Sequence, residues 1–211
     1  MNSKEFFNLC AQEYDSVYYS AENTENKDIA QHLTNIIEQN KVESIIEFGC
    51  GNGYWLLLSA SIGVQRILGI DQSVAMLSVA KSKLINYPFV EVLESDITQQ
   101  MQFESLFDMA IISFVLSVIE SCRLDCVIDN VSKSLRRNGL LFMVENKQPS
   151  LSANDVCKLT ICEHWGGAKY DVTYHLYSCT FLCHKLEEYG FRIIEPIDIN
   201  SDIYCLVAQK K

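Results

Sequence analysis

Several features that would point to particular functions are missing from this 211-residue sequence. It has no Cys-x-x-Cys pair, which structural zinc sites usually need, and its three prolines form no linker. Basic residues number 17 against 27 acidic ones, and the net charge of -10 disfavours binding to nucleic acid. The longest apolar run, Met109–Ile119, is too short to span a bilayer. Since the first residues also lack an apolar signal core, we expect a cytoplasmic protein without a membrane span.

Cysteine is abundant, and the nine residues are scattered along the chain. Several lie inside apolar runs, as Cys205 does, which favours reduced, buried thiols over a disulfide framework. The possible metal ligands that lie closest together are Cys157, Cys162, His164, His175, Cys179, Cys183 and His184. Because none of these cysteines forms a tight pair, we expect no metal site.

The pattern of apolar residues indicates one α/β domain in four parts. Residues 1–40 have helical spacing and predict an N-terminal helical cap. Strands and helices alternate over 42–145, which indicates a doubly wound, mostly parallel sheet. The alternation includes a helix that we expect to end near Asn138-Gly139. Residues 146–178 read as an irregular insert, and 179–211 as a helix and two antiparallel strands. Binding sites in such sheets lie at the carboxyl ends of the strands.

A glycine-rich segment, IIEFGCGNGYW, connects the first predicted strand to the next helix. Glycine allows a tight turn and a close approach of a ligand to the backbone. Asp71 ends the following strand, where an acid can accept hydrogen bonds from both ribose hydroxyls of an adenosine. A purely structural turn, with Asp71 as a cap, is the alternative for this segment.

The ligand of this loop is indicated by the glycine spacing and by Glu47. A dinucleotide site prefers Gly-x-Gly-x-x-Gly, whereas this chain has Gly-x-Gly-x-Gly with Glu47 before the first glycine. A carboxylate at that position suits a ligand with a positive charge and no phosphate. S-adenosylmethionine, which carries a sulfonium and an amino group, is such a ligand.

The loop and the segments after it resemble the class I S-adenosylmethionine-dependent methyltransferases. The segments that carry the resemblance are EFGCGNG, GIDQSVAMLSVAK, LESDI, FDMAIISFVLSVI, SLRRNGLLFMVE and EEYGFRIIE. Together they extend over residues 42–209 and are specific as a set. The resemblance implies a Rossmann-like sheet of seven strands with an antiparallel last strand.

The resemblance also implies a cofactor site, residue by residue. Its members would be Tyr14, Tyr18, Glu47, Gly49, Gly51, Asp71, Gln72, Asp96, Ile97 and Ser113. Glu47 and the glycines would lie at the methionine end, Asp71 at the ribose, and Gln72 beside the adenine. Asp96 would accept from the adenine amino group beside the backbone of Ile97, and the serine would face the cofactor. One of the two tyrosines would close over the methionine, with ordinary helix packing as the alternative.

Methyl transfer of this kind is an in-line displacement at an activated methyl group, so the protein mainly supplies position and a dry site. Enzymes of the family that act on base or glutamine amino groups often carry Asn/Asp-Pro-Pro-aromatic after the fourth strand. This chain has Ser113-Phe114-Val115-Leu116 there, which favours a small-molecule acceptor. The alternatives are a protein or RNA methyltransferase, and a cofactor-binding scaffold or sensor without catalysis.

The substrate is expected between the N-terminal cap and the insert. We predict His175 as a polar catalytic group, acting as a base or as a hydrogen-bond partner. Trp165, Tyr174 and Tyr177 are the predicted substrate contacts. A packed or surface histidine is the alternative for His175. The expected assembly is a monomer or a homodimer.

Overall fold

The computed structural model describes residues 3–19, 24–103, 106–148, 156–165 and 167–211. Its helices are α1 (Ser3–Cys10), α2 (Tyr14–Tyr18), α3 (Thr24–Asn40), α4 (Tyr54–Ser61), α5 (Val74–Lys83), α6 (Ser121–Ser134) and α7 (Cys179–Glu188). Its strands are β1 (Ser44–Phe48), β2 (Arg66–Asp71), β3 (Val90–Glu94), β4 (Phe107–Ser113), β5 (Leu135–Asn146), β6 (Val156–Trp165), β7 (Ala168–Tyr177), β8 (Phe191–Asp198) and β9 (Ile203–Lys210). A short 3₁₀ helix, Leu116–Val118, follows β4.

Seven strands form one sheet in the order β3-β2-β1-β4-β5-β9-β8. The first five are parallel neighbours, whereas β9 runs antiparallel to both β5 and β8. The predicted doubly wound, mostly parallel sheet with an antiparallel last strand is therefore confirmed. The strand order reverses between β1 and β4, and such a switch point opens a crevice at the carboxyl ends of those strands.

Helices cover both faces of this sheet and bury its centre. One face packs against α6 and α7, which contribute Leu124 and Leu182 to the core. The other face packs against α3 and α4, which contribute Leu33 and Leu56. β1 is buried along its whole length, as expected for a central parallel strand. The polar groups of a binding site are therefore left to the strand ends and the loops after them.

Helix α6 ends earlier than the sequence predicted. Its last residue is Ser134, and β5 begins at once with Leu135, so the prediction of an end near Asn138-Gly139 is wrong. Lys210 of β9 donates to the main-chain oxygens of Ser132 and Leu135 at 2.5 and 2.7 Å. These bonds satisfy carbonyls that the helix end would otherwise leave unpaired. Asn138, with a φ of 63°, lies instead where β5 shifts its register against β4.

The described part of the predicted irregular insert is regular, so that prediction is also wrong. β6 and β7 pair along their whole length as an antiparallel hairpin, and residues 149–155 and 166 lie outside the described residues. In β7, Val172 and Leu176 each lie two positions from Tyr174, and a spacing of two is typical of strands. In β6, cysteines and charged residues weaken the alternation of apolar and polar side chains. For this reason the sequence did not predict a strand there to pair with β7.

The N-terminal cap consists of α1, α2 and α3, so residues 1–40 are helical in much of their described part. The hydroxyl of Ser73, before α5, donates to Asn8 Oδ1 of α1 at 2.7 Å. Asn52 of the glycine loop donates to Asp15 Oδ1 of α2 at 2.7 Å, and Lys83 forms an ion pair with the same carboxylate. These contacts hold α1 and α2 beside the carboxyl ends of β1 and β2. The four-part division of the chain remains a prediction.

The described helices include none with the length and apolar character that a membrane span requires. All nine cysteines carry free thiols. Cys10, Cys50 and Cys205 are buried as predicted, but Cys122 and Cys162 are exposed, so the expectation of buried thiols is only partly right. Over the described ranges, no group of three or more His, Cys, Asp or Glu side chains is placed to hold a metal ion.

Candidate functional site

The glycine loop turns sharply after β1 and is tied to β2. The main-chain N–H of Gly49 donates to the oxygen of Ile70 at 2.7 Å. The φ values of Gly49 and Gly51, 73° and 51°, lie in the left-handed region that glycine adopts without strain. A Cβ at Gly49 would overlap the side chain of Val115, whereas a Cβ at Gly51 would have no heavy atom within 4 Å. The loop is therefore tightly packed at its first glycine and open above its second.

Asp71 stands at the end of β2, directly beside this loop. Its carboxylate accepts from the main-chain N–H groups of Gly51 and Ser73 at 2.9 and 2.8 Å. Burial raises the pKa of Asp71, and the backbone hydrogen bonds act against that rise. A carboxylate has about four lone-pair sites. Backbone N–H groups of Gly51, Gln72 and Ser73 act on this one, so the fixed side chain keeps acceptor capacity for a hydroxyl group of a ligand.

Glu47 carries a buried carboxylate in the middle of the sheet. Only 1% of the residue is exposed, and its Oε2 finds no hydrogen-bond partner in the described part of the chain. Burial, and secondly the negative charge of Asp71, raise the pKa of Glu47 well above its usual value. The Oγ of Ser113, at the end of β4, is buried and unpartnered in the same way. A ligand with a positive charge and hydrogen-bonding groups would satisfy both side chains.

These groups surround an open cavity at the carboxyl ends of β1, β2 and β4, which we call the first cavity; its empty space, open solvent included, is about 730 Å³. The predicted cofactor residues that line it are Tyr14, Glu47, Gly49, Gly51, Asp71, Gln72, Asp96, Ile97 and Ser113. Tyr18, the tenth, lines the neighbouring cavity instead. Phe7, Asn52 and Trp55 also line the first cavity and were not singled out from the sequence. Asn52 could have been found, because it stands between two glycines of the loop.

Asp96 stands where the chain leaves β3 and is held by its own turn. Its Oδ1 accepts from the main-chain N–H and the hydroxyl of Thr98 at 2.9 and 2.7 Å. Burial acts to raise the pKa of Asp96, but the bonds from Thr98 and Gln99 and the charge of Arg123 outweigh it and lower the pKa. The ionised carboxylate is thus kept at the wall of the first cavity, ready to accept a hydrogen bond.

Glu145 was missed by the sequence analysis, although it shapes the wall of the first cavity. It ends the buried part of β5, and its Oε1 accepts from the main-chain N–H groups of Val115 and Leu116 at 3.1 and 2.7 Å. These bonds fix the turn after β4, which places Val115 against the glycine loop. An acid at the end of an apolar strand was the signal that could have indicated it.

A second open cavity, with about 1150 Å³ of empty space when open solvent is included, lies beside the first. The residues that line both cavities are Phe7, Tyr14, Tyr19, Phe114 and Val118. The N-terminal cap supplies part of its wall and the β6–β7 hairpin supplies another part. Tyr174, a predicted substrate contact, lines this cavity and donates its hydroxyl to Glu163 Oε1 at 2.9 Å.

The other two predicted substrate contacts are packing residues beside the cavities. Trp165 is 4% exposed and packs against the rings of Phe6 and Tyr14, with centroids 6.1 and 6.5 Å away. Tyr177 is buried in the main core, and its hydroxyl donates to the oxygen of Ile119 at 2.9 Å. Neither residue is among those that line the first or second cavity. Trp165 joins the hairpin to the cap, which closes the second cavity indirectly.

His175 lies on the opposite face of β7 from Tyr174, since neighbouring strand residues alternate. It is buried, it pairs in register with Lys158 of β6, and it lines neither cavity. Burial lowers the pKa of His175, the charge of Lys158 lowers it further, and Glu120 opposes them. The catalytic role of His175 stays a prediction, and no contact of its side chain with either cavity supports that role.

A comparison with known protein families concerns the segment that contributes many of the residues lining the first cavity. Residues 45–139 match the family model described as a methyltransferase domain. This match bears out the resemblance of these residues to methyltransferases. The match starts in β1 and contains the glycine loop, Asp71, Asp96 and Ser113. The match therefore supports the predicted resemblance for the part of the chain that contains the predicted cofactor residues.

Two curated relatives each match less than half of this chain. A carboxy-S-adenosyl-L-methionine synthase from Methylococcus capsulatus is 28% identical over 107 residues, which are 48% of this chain and 44% of the relative. A ribosomal protein L11 methyltransferase from Desulfotalea psychrophila is 21% identical over 94 residues, 44% of this chain and 31% of the relative. This chain therefore spans less than half the length of either relative, and their different names do not decide its acceptor.

A solved structure, the DhpI-SAH complex, resembles nearly the whole chain. The similarity covers 98% of this chain and 94% of that chain, with a TM-score of 0.76 and 16% sequence identity. At this identity the likeness confirms the Rossmann-like fold. With 98% of this chain covered, the likeness extends over the cap and the hairpin as well as the seven-stranded sheet.

Proposed function

We propose that this protein transfers a methyl group from S-adenosylmethionine to a small molecule held in the second cavity. The observation that carries the proposal is the arrangement of two adjacent cavities that share part of their walls. The first has groups that suit the cofactor, and the second adjoins it with a mainly apolar lining and a few polar groups, as small-molecule sites have. The cap and the hairpin enclose that space from two sides, which favours an acceptor that fits inside it.

The residues of the first cavity fit S-adenosylmethionine. The unpartnered oxygen of buried Glu47 suits its positively charged amino and sulfonium groups, and the open space above Gly51 admits a ligand close to the backbone. Asp71 would accept from the ribose hydroxyls, and Asp96 from the adenine amino group. When bound, the cofactor supplies a methyl group that is already activated by the positive sulfur.

The contribution of the protein to this reaction is position and exclusion of water. The rings of Tyr14 and Tyr19 line both cavities, so they would contact both ligands and separate the reacting groups from solvent. Glu163 and Tyr174 are polar groups on the wall of the second cavity, and they are better placed to orient an acceptor than His175. A general base is needed only if the acceptor must lose a proton before it reacts.

Three observations favour a small molecule over a protein or RNA. The cap lies over the site, the net charge of -10 repels a phosphate backbone, and the turn after β4 lacks the Asn/Asp-Pro-Pro-aromatic sequence. Protein methylation is the second candidate because one relative is named as a ribosomal protein methyltransferase. The similarity to that relative covers 44% of this chain and 31% of the relative, so it gives little support for a shared substrate.

Calorimetry with S-adenosylhomocysteine and with NAD tests the cofactor. We expect S-adenosylhomocysteine to bind and NAD not to bind. Asp71→Asn should weaken binding by about ten- to a hundredfold, because an uncharged amide replaces a charged, fixed acceptor of ribose hydroxyl groups. Asp171→Asn, at an exposed position of β7, removes the same charge away from both cavities and should leave the affinity unchanged. Binding of NAD alone would overturn the assignment.

Transfer of a labelled methyl group tests the acceptor. The protein is incubated with labelled S-adenosylmethionine and a cell extract, which is then separated into small molecules, protein and RNA. Label in the small-molecule fraction is the expected result. Label in protein or RNA would favour the second candidate, and cofactor binding without any transfer would favour a scaffold or sensor.

A further inference from the structure

The charges on the wall of the second cavity are all of one sign. Its ionisable carboxylates are Glu25 of α3 and Glu163 of β6. Among the described residues that line it, there is no lysine, arginine or histidine. An anionic acceptor would therefore meet two negative charges and no compensating positive one, which disfavours it.

Glu163 is held in place at the end of an apolar wall. Leu159, Ile161 and Glu163 alternate along one face of β6, and all three line the second cavity. Tyr174, opposite Leu159 in the hairpin, donates to one carboxylate oxygen of Glu163 at 2.9 Å. A carboxylate has about four acceptor sites, so one hydrogen bond fixes this group without using it up. Leu159 and Ile161 are 39% and 41% exposed, so both side chains have apolar surface that a bound molecule could cover.

Aromatic rings surround the same space. Phe7, Tyr14, Tyr18, Phe114 and Tyr174 line the second cavity together with the two acids. Burial raises the pKa of Tyr18 to about 12 and that of Tyr174 above its usual value, so these phenols stay neutral near pH 7. Neutral aromatic faces attract cations through their quadrupole, and they also offer large apolar contact areas.

We infer that the second cavity binds an acceptor with an apolar body and a protonated amine, which Glu163 and the aromatic rings recognise. The inference rests on the proposed function, because it assigns a chemical class to the acceptor of the same reaction. The apolar body would pack on the side chains of Leu159 and Ile161. The amine would receive both an ion pair from Glu163 and the attraction of the tyrosine faces.

Three probes of one shape test this class: phenethylamine, 2-phenylethanol and 3-phenylpropionate, each titrated into the protein saturated with S-adenosylhomocysteine at pH 7. We expect the amine to bind about tenfold or more tightly than the alcohol, and the carboxylate to bind most weakly. Glu163→Gln should lower the preference for the amine over the alcohol about fivefold, leaving the part that the aromatic faces supply, with the affinity for the alcohol retained. Glu38→Gln, exposed on α3 and away from the cavity, is the matched control and should keep the preference.

The outcomes separate this inference from the proposed function. Failure to bind S-adenosylhomocysteine would overturn both. Normal binding of S-adenosylhomocysteine with no preference for the amine, or with no amine binding at all, would overturn the inference alone. An undiminished preference for the amine in Glu163→Gln would also overturn it. Thermal unfolding of each variant, and its affinity for S-adenosylhomocysteine, show whether the variant is folded.

Discussion

Replacing Glu145 with glutamine should make the stability of the protein less dependent on pH. Only 3% of Glu145 is exposed, and burial raises its pKa to about 8, although backbone hydrogen bonds from Leu116, Ser117 and Val115 act to lower it. Glutamine has nearly the same shape, and its side-chain oxygen can accept the same N–H groups. The substitution therefore removes the ionisation and keeps the contacts of the turn after β4.

The sign of the effect follows from the raised pKa. Between about pH 4.5 and about pH 8 the folded protein keeps the proton of Glu145, whereas the unfolded chain has lost it. The free energy of unfolding that this group contributes is fully present below pH 4.5 and is lost as the pH rises through about 8. Since one pH unit corresponds to about 1.4 kcal/mol, the loss across this window is at most about 5 kcal/mol.

Urea denaturation of the wild type and of Glu145→Gln at pH 5, 6, 7 and 8 measures this difference. We expect the wild type to lose stability relative to the variant by about 1 kcal/mol or more per pH unit. Glu47 also has a raised pKa, but it is present in both proteins and cancels in the comparison. Glu91→Gln, exposed on β3, controls for the removal of one negative charge. Parallel stability curves for wild type and Glu145→Gln would refute the reasoning.

Two further substitutions test the glycine loop and the start of α5. Gly49→Ala should destabilise the fold by about 1–3 kcal/mol and weaken S-adenosylhomocysteine binding, because alanine would be strained at a φ of 73° and would overlap Val115. Gly63→Ala, at a φ of 94° with no neighbour within 4 Å, shares only the backbone strain and should keep the affinity; equal losses of affinity would contradict the role of the overlap. Ser73→Ala should lower the stability by about 1–2 kcal/mol in thermal or urea unfolding, since the hydroxyl caps α5 and bonds to α1. Ser78→Ala, exposed within α5, should cost nothing, and a similar loss there would show that the cap is not the cause.

The first cavity could be predicted because its residues follow directly from local sequence patterns. Gly49, Gly51 and Asp71 stand at the ends of consecutive parallel strands, and such strand ends meet at one edge of the sheet. Glu47 was recognisable for the same reason, as an acid inside an apolar strand just before the loop. Residues that follow consecutive strands in the sequence are therefore also neighbours in space at this site.

The second cavity could not be predicted in the same way, because it depends on how distant segments meet. Whether Tyr174 or His175 faces the cavity is decided by the register of one hairpin, and a shift of one residue exchanges the two faces. The sequence favoured His175 for its chemistry, and the strand presents Tyr174 to the cavity instead. The role of Glu145 depends on a hydrogen bond between residues 29 positions apart, which no local pattern contains.

The shared walls of the two cavities make their occupants thermodynamically dependent on each other. Tyr14, Tyr19 and Phe114 line both spaces, so any ring that moves to admit one ligand changes the surface offered to the other. The glycine loop also forms a hydrogen bond to α2 through Asn52 and Asp15, which connects the wall of the first cavity to the helices above it. Linkage then requires reciprocity: whatever factor the donor applies to the affinity of the acceptor, the acceptor applies to the affinity of the donor.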